Sequence, residues 1–272
     1  MAEPVGAEPV GAEPVLRVFE CGDTTFPLSR VFRGEGLPRR TFPSAVFLYT
    51  HPSGRRVLFD TGYPPSLRGT GPIGALYRRL LPARVAPGET IDRRLAEEGL
   101  GCDDIDVVVL SHLHPDHIGG LRYFPRATLI VSAGQLAKIR RSSVTDGIFA
   151  ALIPPWFAES SLLVVDQQPS VTVAGVVGFD LFGDGRFVVT PLPGHALGHL
   201  GALVEERFLL AGDAAWGREF LSWSDRLRPL PRLISDDPEA HHATSLSLQR
   251  LESAGITLCF SHDPYASRVL LG

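Results

Sequence analysis

Thiols are scarce in this 272-residue chain: Cys21, Cys102 and Cys259 stand far apart. An odd, scattered set is neither a disulfide framework nor a cysteine zinc site, so a reduced, cytoplasmic setting is expected. Lysine is scarcer still. Lys138 is the only one, against 26 basic residues in all, which reads as base composition of the gene. No apolar run reaches the ~18 residues that a membrane helix needs. The stretch Met1–Val15 has neither a basic n-region nor an apolar core, and no signal peptide is expected. Positive charge is not in excess either. The formal net charge is −4, which argues against nucleic acid as a partner.

Apolar material, by contrast, suffices for a sizeable core: hydrophobic residues are 44% and charged residues 21%, ordinary globular usage. Residues 2–15 repeat AEPVG almost perfectly. Proline and glycine every few residues, without aromatics, cannot bury enough surface to offset chain entropy. Residues 1–14 are therefore expected to be a disordered tail, and 15–272, which no linker divides, a single domain. Val46–Tyr49 and Arg56–Phe59 read as strands joined at Pro52-Ser53-Gly54. Asp106–Leu110 is a β-branched run, the mark of a strand buried on both faces. Thr128–Val131, Leu162–Val165, Val171–Leu181, Arg186–Thr190, Gly201–Glu205, Phe208–Ala211 and Thr257–Phe260 read as further strands. Helices are expected over Thr90–Leu100, from Ala133 to about Arg140, and from Pro238, behind Asp236-Asp237, to about Ser253. Residues 61–89 read as a loop excursion, and 141–160 fits no single class. Strands in both halves with helices between and after them suggest two central sheets with helices outside.

The segment that carries chemistry follows the buried run: Ser111-His112-Leu113-His114-Pro115-Asp116-His117-Ile118-Gly119-Gly120. Four potential metal ligands fall within six residues. In extended backbone, side chains at i and i+2 project to the same side, so His112 and His114 can grip one ion. Asp116 and His117 are adjacent, point apart and can reach a second. Imidazole and carboxylate without thiolate suit Zn2+, and also Fe, Mn or Co. Polar residues that merely capped a helix would not need three imidazoles.

This motif resembles that of the metallo-β-lactamase superfamily, and the resemblance runs from about Val15 to the C-terminus. It implies an α+β fold, a four-layer αββα sandwich of two mixed β-sheets with helices on the outer faces, and a one- or two-metal site at the sheet edges. Other landmarks of the family have matches here. His195, in Thr190-Pro191-Leu192-Pro193-Gly194-His195, would complete a set with His112 and His114. Asp213, after Phe208–Gly212, would bridge two ions, and His262, after Phe260-Ser261, would join Asp116 and His117 at the second. Asp60, in Phe59-Asp60-Thr61-Gly62, and His199 would orient ligands rather than bind metal. His51, His241 and His242 lack such context and read as surface or satisfied residues.

The resemblance implies a hydrolase with two divalent ions, Zn2+ foremost. Two cations sharing a solvent molecule lower its pKa from about 15.7 to about 7, and Asp116 could also shuttle the proton. The Ser261-His262-Asp263 ending, the Asp60 turn and the Thr190–His195 run are similar to acyl-homoserine-lactone lactonases, which implies a small lactone or carboxylic ester as substrate. The apolar stretch with Phe149, Trp156 and Phe157 could line an acyl pocket, or simply pack under a loop. Small lactonases of this kind often carry a tyrosine three residues past the bridging aspartate. Trp216 stands there, and an indole N–H donates but cannot ionise. A phosphotriester or thioester hydrolase on the same site, a mononuclear iron oxidoreductase and an inactive metal-binding module stay open. So does assembly, a homodimer being one option. Neither a membrane nor a nucleic acid is expected as a partner.

Overall fold

Side chains of a strand alternate between its two faces, and that alternation sorts this chain's apolar residues into layers. The computed structural model describes residues 12–34, 36, 38–67, 70–141, 147–226, 228 and 236–272. Among them the strands are β1 (Val15–Pro27), β2 (Arg39–Thr50), β3 (Arg56–Phe59), β4 (Ala83–Arg84), β5 (Val107–Val109), β6 (Thr128–Val131), β7 (Leu162–Val164), β8 (Val171–Val173), β9 (Val176–Asp180), β10 (Phe187–Pro191), β11 (Leu200–Val204), β12 (Phe208–Gly212), β13 (Thr257–Phe260) and β14 (Val269–Leu271). The α-helices are α1 (Gly71–Leu80), α2 (Ile91–Glu97), α3 (Pro115–Ile118), α4 (Ala133–Arg141) and α5 (Pro238–Ser253).

One sheet runs β14-β1-β2-β3-β5-β6-β7, with β4 also pairing with β1; the other runs β13-β12-β11-β10-β9-β8. Both are mixed. The pairs β3–β5, β5–β6, β6–β7 and β12–β13 are parallel, and the rest are antiparallel.

Ala45, Phe47, Tyr49, Val57, Phe59, Val107 and Val109 of the first sheet meet Phe187, Val189, Ala202, Val204, Phe208 and Leu210 of the second. Their alternates Val46, Leu48, Leu58, Val108 and Leu129 face outward onto Ile91 and Leu95 of α2, with Leu136 and Ile139 of α4 against them. The second sheet likewise turns Val188, Leu203, Leu209 and Leu258 onto Leu248 and Leu251 of α5. Each such side chain taken from water contributes ~1.5–3 kcal/mol. Three apolar layers thus hold four layers of secondary structure, the αββα sandwich. Among the described residues, no helix is long and apolar enough to cross a membrane.

Several elements differ from expectation. β1 is a full strand, although Glu20, Gly22 and Asp23 interrupt its apolar pattern, because a register shift between Glu20 and Asp23 accommodates the break. The 61–89 stretch contains α1 and β4 rather than loop alone. Val171–Leu181 is two strands, not one: Ala174 and Gly175 both have positive φ (46° and 79°), which turns the chain into the β8–β9 hairpin. Most of the repeat tail, and 142–146 of the ambiguous stretch, lie outside the described residues.

The loops leaving the C-terminal ends of β3, β5, β10, β12 and β13 are stitched together. Leu200 N donates to the Ser111 carbonyl (2.8 Å), Ser261 N to that of Gly212 (3.1 Å) and Ala45 N to that of Ser261 (2.8 Å).

Candidate metal centre

His112 lies three residues past the end of β5, and His114 is the residue just before α3. The His112 Nε2 and His114 Nδ1 atoms lie 2.8 Å apart, and His195 Nε2 is 3.2 Å from each. Three ring nitrogens in such a triangle can share protons between them, or all turn their lone pairs onto one cation. A tetrahedral ion with nitrogen ligands at 2.0–2.1 Å needs edges of about 3.3 Å, close to these. Asp116 and His117 occupy the single turn of α3 behind Pro115, so the local backbone is helical there rather than extended. Both still reach the same place: Asp116 Oδ2 is 3.7 Å from His117 Nε2 and 3.6 Å from His262 Nε2. Asp213 stands between the groups. Its Oδ1 is 3.4 Å from His117 Nε2, and its Oδ2 is 3.2 Å from His262 Nε2 and 3.5 Å from His195 Nε2.

The seven side chains therefore form two sets, His112–His114–His195–Asp213 and Asp116–His117–His262, each with ligand atoms within 4.8 Å of one another. His117 Nε2 and Asp213 Oδ1 are buried without a hydrogen-bond partner. Orphaned lone pairs at such depth cost ~1–3 kcal/mol apiece. A cation between them is the chemistry that would satisfy both, and the donor set fits divalent ions.

Neighbours set which nitrogen faces inward. Asp60 accepts from Ser111 N (2.8 Å) at Oδ1, and from Ser111 Oγ (2.7 Å) and His117 Nδ1 (2.7 Å) at Oδ2. A carboxylate only accepts, so His117 carries its proton on Nδ1 and turns the Nε2 lone pair inward. Ser111 Oγ, having given its hydrogen to Asp60, accepts from His112 Nδ1 (3.0 Å). His262 Nδ1 donates to the Pro43 carbonyl (2.6 Å). Outer partners of this kind fix both tautomer and ring orientation.

Electrostatics divide the cluster. Burial drives His112 well below the ordinary imidazole range, with His117, His114 and His195 adding to the effect, and burial does the same for His195. Both are neutral ligands ready for a cation. Burial alone would also lower His117, but the Asp213, Asp60 and Asp116 carboxylates outweigh it and hold the ring well above that range. His262 is likewise lifted to about 9 against burial, chiefly by Asp213. Burial would raise Asp213, yet His262 and His117 hold it well below the usual carboxylate range. Without metal, protons on these rings stand in for cationic charge.

A family model described as the metallo-β-lactamase superfamily matches residues 39–258. The chain belongs to the metallo-β-lactamase superfamily. Among curated members of related sequence, the N-acyl homoserine lactonase AiiB of Agrobacterium fabrum is 30% identical over 220 residues, 76% of this chain and 75% of that protein. The metallo-hydrolase mfmC of Annulohypoxylon moriforme is 29% identical over 211 residues, 70% of this chain, and the match spans only 52% of that longer protein. Among solved structures, a variant of B. thuringiensis AiiA with N-decanoyl-L-homoserine bound at its active site superposes with a TM-score of 0.70 at 19% identity, covering 93% of this chain and 94% of that one.

This superfamily member spends its other expected site residues differently. His199 Nε2 accepts from Asp213 N (3.1 Å), and burial lowers its pKa to about 3. It orients the aspartate loop and sits in neither ligand set. Trp216 packs edge-on against Phe26 and Phe42, its ring centroid 6.3 Å from that of His262. Phe149 touches Tyr77 edge-on at 5.5 Å. Phe157 is buried in the outer apolar layer, with Trp156, Leu152 and Ile153 packed against the same cluster. Among the other histidines, His51 is bonded to Ser53 and Asp184, and His241 Nε2 donates to the Ala214 carbonyl. Ser111, Pro43, Gln135 and Ser44 escaped the sequence reading. Gln135 Nε2 donates to the Leu110 and Ser111 carbonyls (2.8 and 2.9 Å), and Ser44 Oγ to that of Asp116 (2.5 Å). Only Ser111 had a signal, its place at the head of the motif.

Proposed function

We propose that the protein is a hydrolase with two divalent metal ions, zinc by donor chemistry, that opens lactones or cleaves small carboxylic esters. One observation carries this reading. Five imidazoles and two carboxylates from four separate loops turn ligand atoms toward one another, with Asp213 between the two sets. His112, His114 and His195 would hold one ion, Asp116, His117 and His262 the other, and Asp213 both. Such a pair supplies a water of lowered pKa and polarises a carbonyl oxygen.

The chain's own residues do the rest. Asp60, Ser111 and the Pro43 carbonyl keep the imidazole lone pairs turned inward. Asp116, beside His117 and His262, is placed to take the proton released as water adds to the carbonyl carbon. It returns that proton to the leaving oxygen when the carbon–oxygen bond breaks. Trp216, Phe26 and Phe42 wall the His262 side with apolar surface and keep bulk water from it.

The likeness to AiiB, an N-acyl homoserine lactonase, and to AiiA with N-decanoyl-L-homoserine bound supports N-acyl homoserine lactones as the substrate class. The deciding experiment is a hydrolysis panel on protein of known metal content, covering N-hexanoyl-homoserine lactone, γ-butyrolactone, an aryl ester, a thioester and a phosphotriester. Turnover of the lactones above the others is the expected result. Turnover of the phosphotriester or thioester alone would overturn the lactone assignment, and inertness toward all five would overturn the hydrolase reading.

A further inference from the structure

The first two turns of α5 meet two of the loops that carry ligands, and the mechanism above makes no use of them. His195 lies in the loop after β10 and Asp213 in the loop after β12, with β11 between those strands. Strand pairing stops where the strands end, so it does not fix how the two loops sit on each other. His199 ties them on one side, its Nε2 accepting from Asp213 N (3.1 Å). His241 of α5 ties them on another.

The start of α5 grips the His195 loop largely through backbone. Asp237 N donates to the Gly194 carbonyl (3.1 Å), Thr244 Oγ1 donates to that of Pro193 (2.7 Å), and Leu197 N donates to Asp236 Oδ2 (2.6 Å). Lys138 Nζ donates to the other oxygen of Asp236 (2.8 Å). Gly194 lies flush on the helix. A Cβ there would stand 2.2 Å from both Cα and N of His241, and its φ is 127°, so the position demands glycine. The ring of His241 then reaches the second loop: its Nε2 donates to the carbonyl of Ala214 (3.0 Å), the neighbour of Asp213. A carbonyl only accepts, which places the ring proton on Nε2. His241 and Ala214 are both buried, so the bond is made away from water. One residue thus abuts the neighbour of His195 with its backbone and holds the neighbour of Asp213 with its ring. Between those two ligands, His195 Nε2 and Asp213 Oδ2 stand 3.5 Å apart, an edge of the first ligand set.

We propose that His241 is a positioning residue, which holds the His195 loop against the Asp213 loop and so sets metal affinity at the His112–His114–His195–Asp213 set. This role rests on the two-ion hydrolase reading, because it presumes an ion in that set. Without the ring N–H, the Ala214 carbonyl would be buried and unpaired. Such a group turns toward whatever donor it can find, and Asp213, one residue away, moves with it. Ligands must be held to within about 0.5 Å of their working geometry, so a small shift of that loop suffices to weaken the site.

The test compares wild type, His241→Leu, His241→Asn, His241→Gln and Leu251→Ala. Leucine keeps the bulk without the donor, the asparagine amide ends near the place of Nδ1, and the glutamine amide reaches the place of Nε2. Leu251 lies on the same helix, packed beside Gly175 at the β8–β9 turn. Four readouts are taken: melting temperature of the metal-free protein, zinc affinity by competition with a chromogenic chelator, the visible spectrum of the Co2+ form, and kcat and KM on N-hexanoyl-homoserine lactone at saturating zinc. His241→Leu and His241→Asn should bind zinc about 10–100-fold more weakly, as loss of an outer partner does, with altered Co2+ bands and a lowered kcat at little-changed KM. His241→Gln should recover most of the affinity. Leu251→Ala should melt lower yet bind zinc as wild type does. Zinc affinity and Co2+ spectra of His241→Leu and His241→Asn that match wild type would overturn the assignment, and so would an equal loss in Leu251→Ala or no recovery in His241→Gln. If wild type binds zinc yet hydrolyses neither lactone nor ester, the hydrolase reading falls while the affinity comparison still decides His241. If wild type binds no zinc, both fall.

Discussion

Asp60 holds a backbone φ of 64°, a region that residues other than glycine seldom enter. It is fully buried, and burial raises its pKa against the opposing pull of His117 and Ser111. The strain of such a conformation, on the order of 1–3 kcal/mol, is offset by three hydrogen bonds that lock His117 and the head of the motif. Asp60→Asn keeps the size but can present an N–H where His117 now donates. It should weaken the second cation's affinity by about 10–100-fold, read by metal titration, with the first cation little affected. His117→Ala removes a ligand, and Asp213→Asn removes the charge and one of the two oxygens that reach both sets. Each should lower kcat and second-metal occupancy together, measurable by elemental analysis beside kinetics, and full activity with one metal retained would contradict the two-ion reading.

At the scale of elements, the helix α5 begins at a built stop. Asp237 accepts from Glu239 N and Ala240 N, both at 3.0 Å, and Pro238 follows at the first turn. Asp237→Ala should cost about 1 kcal/mol of unfolding free energy, whereas Leu58→Ala, in the outer layer of the first sheet, should cost about 2–5 kcal/mol. Denaturant melts would rank the two, and an equal cost would mean the layer is less tightly packed than its burial indicates. The same contrast explains what could be read from the chain. β3, β6 and β13 were legible to the residue because each is a short, mostly apolar run closed by a polar residue, Asp60, Ser132 and Ser261. The ligand motif was legible because its spacing is local. β1 was not, since its bulge breaks the period of two, and α1 was hidden by Gly71, Pro72 and Gly74 in a helix that buries little. Pro43 and Ser44, which hold His262 and Asp116 from 219 and 72 residues away, leave no trace in sequence, because backbone pairing rather than a motif brings them there.

For the whole molecule, buried histidines pull stability in opposite directions with pH. His199, lowered by burial from 6.5 to about 3, is neutral in the fold but protonates when unfolded, so its contribution is complete above pH 6.5 and is lost as pH falls toward 3. His112 and His195 act in the same direction. His262, raised to about 9, contributes fully below pH 6.5 and loses that contribution as pH rises through 9. Metal-free protein should therefore be most stable near neutrality, and denaturant melts from pH 5 to 9.5 would show it. Metal must displace the protons on His117 and His262, so loading should release protons and remove the alkaline decline. Calorimetry in buffers of different ionisation enthalpy reads that release, and binding without it would contradict the charge pattern of the centre. The most direct measurement is anomalous diffraction from zinc-loaded crystals. Two peaks are predicted, one among His112, His114 and His195 and one among Asp116, His117 and His262, with Asp213 touching both. A single peak, or peaks away from these seven side chains, would contradict the two-ion centre.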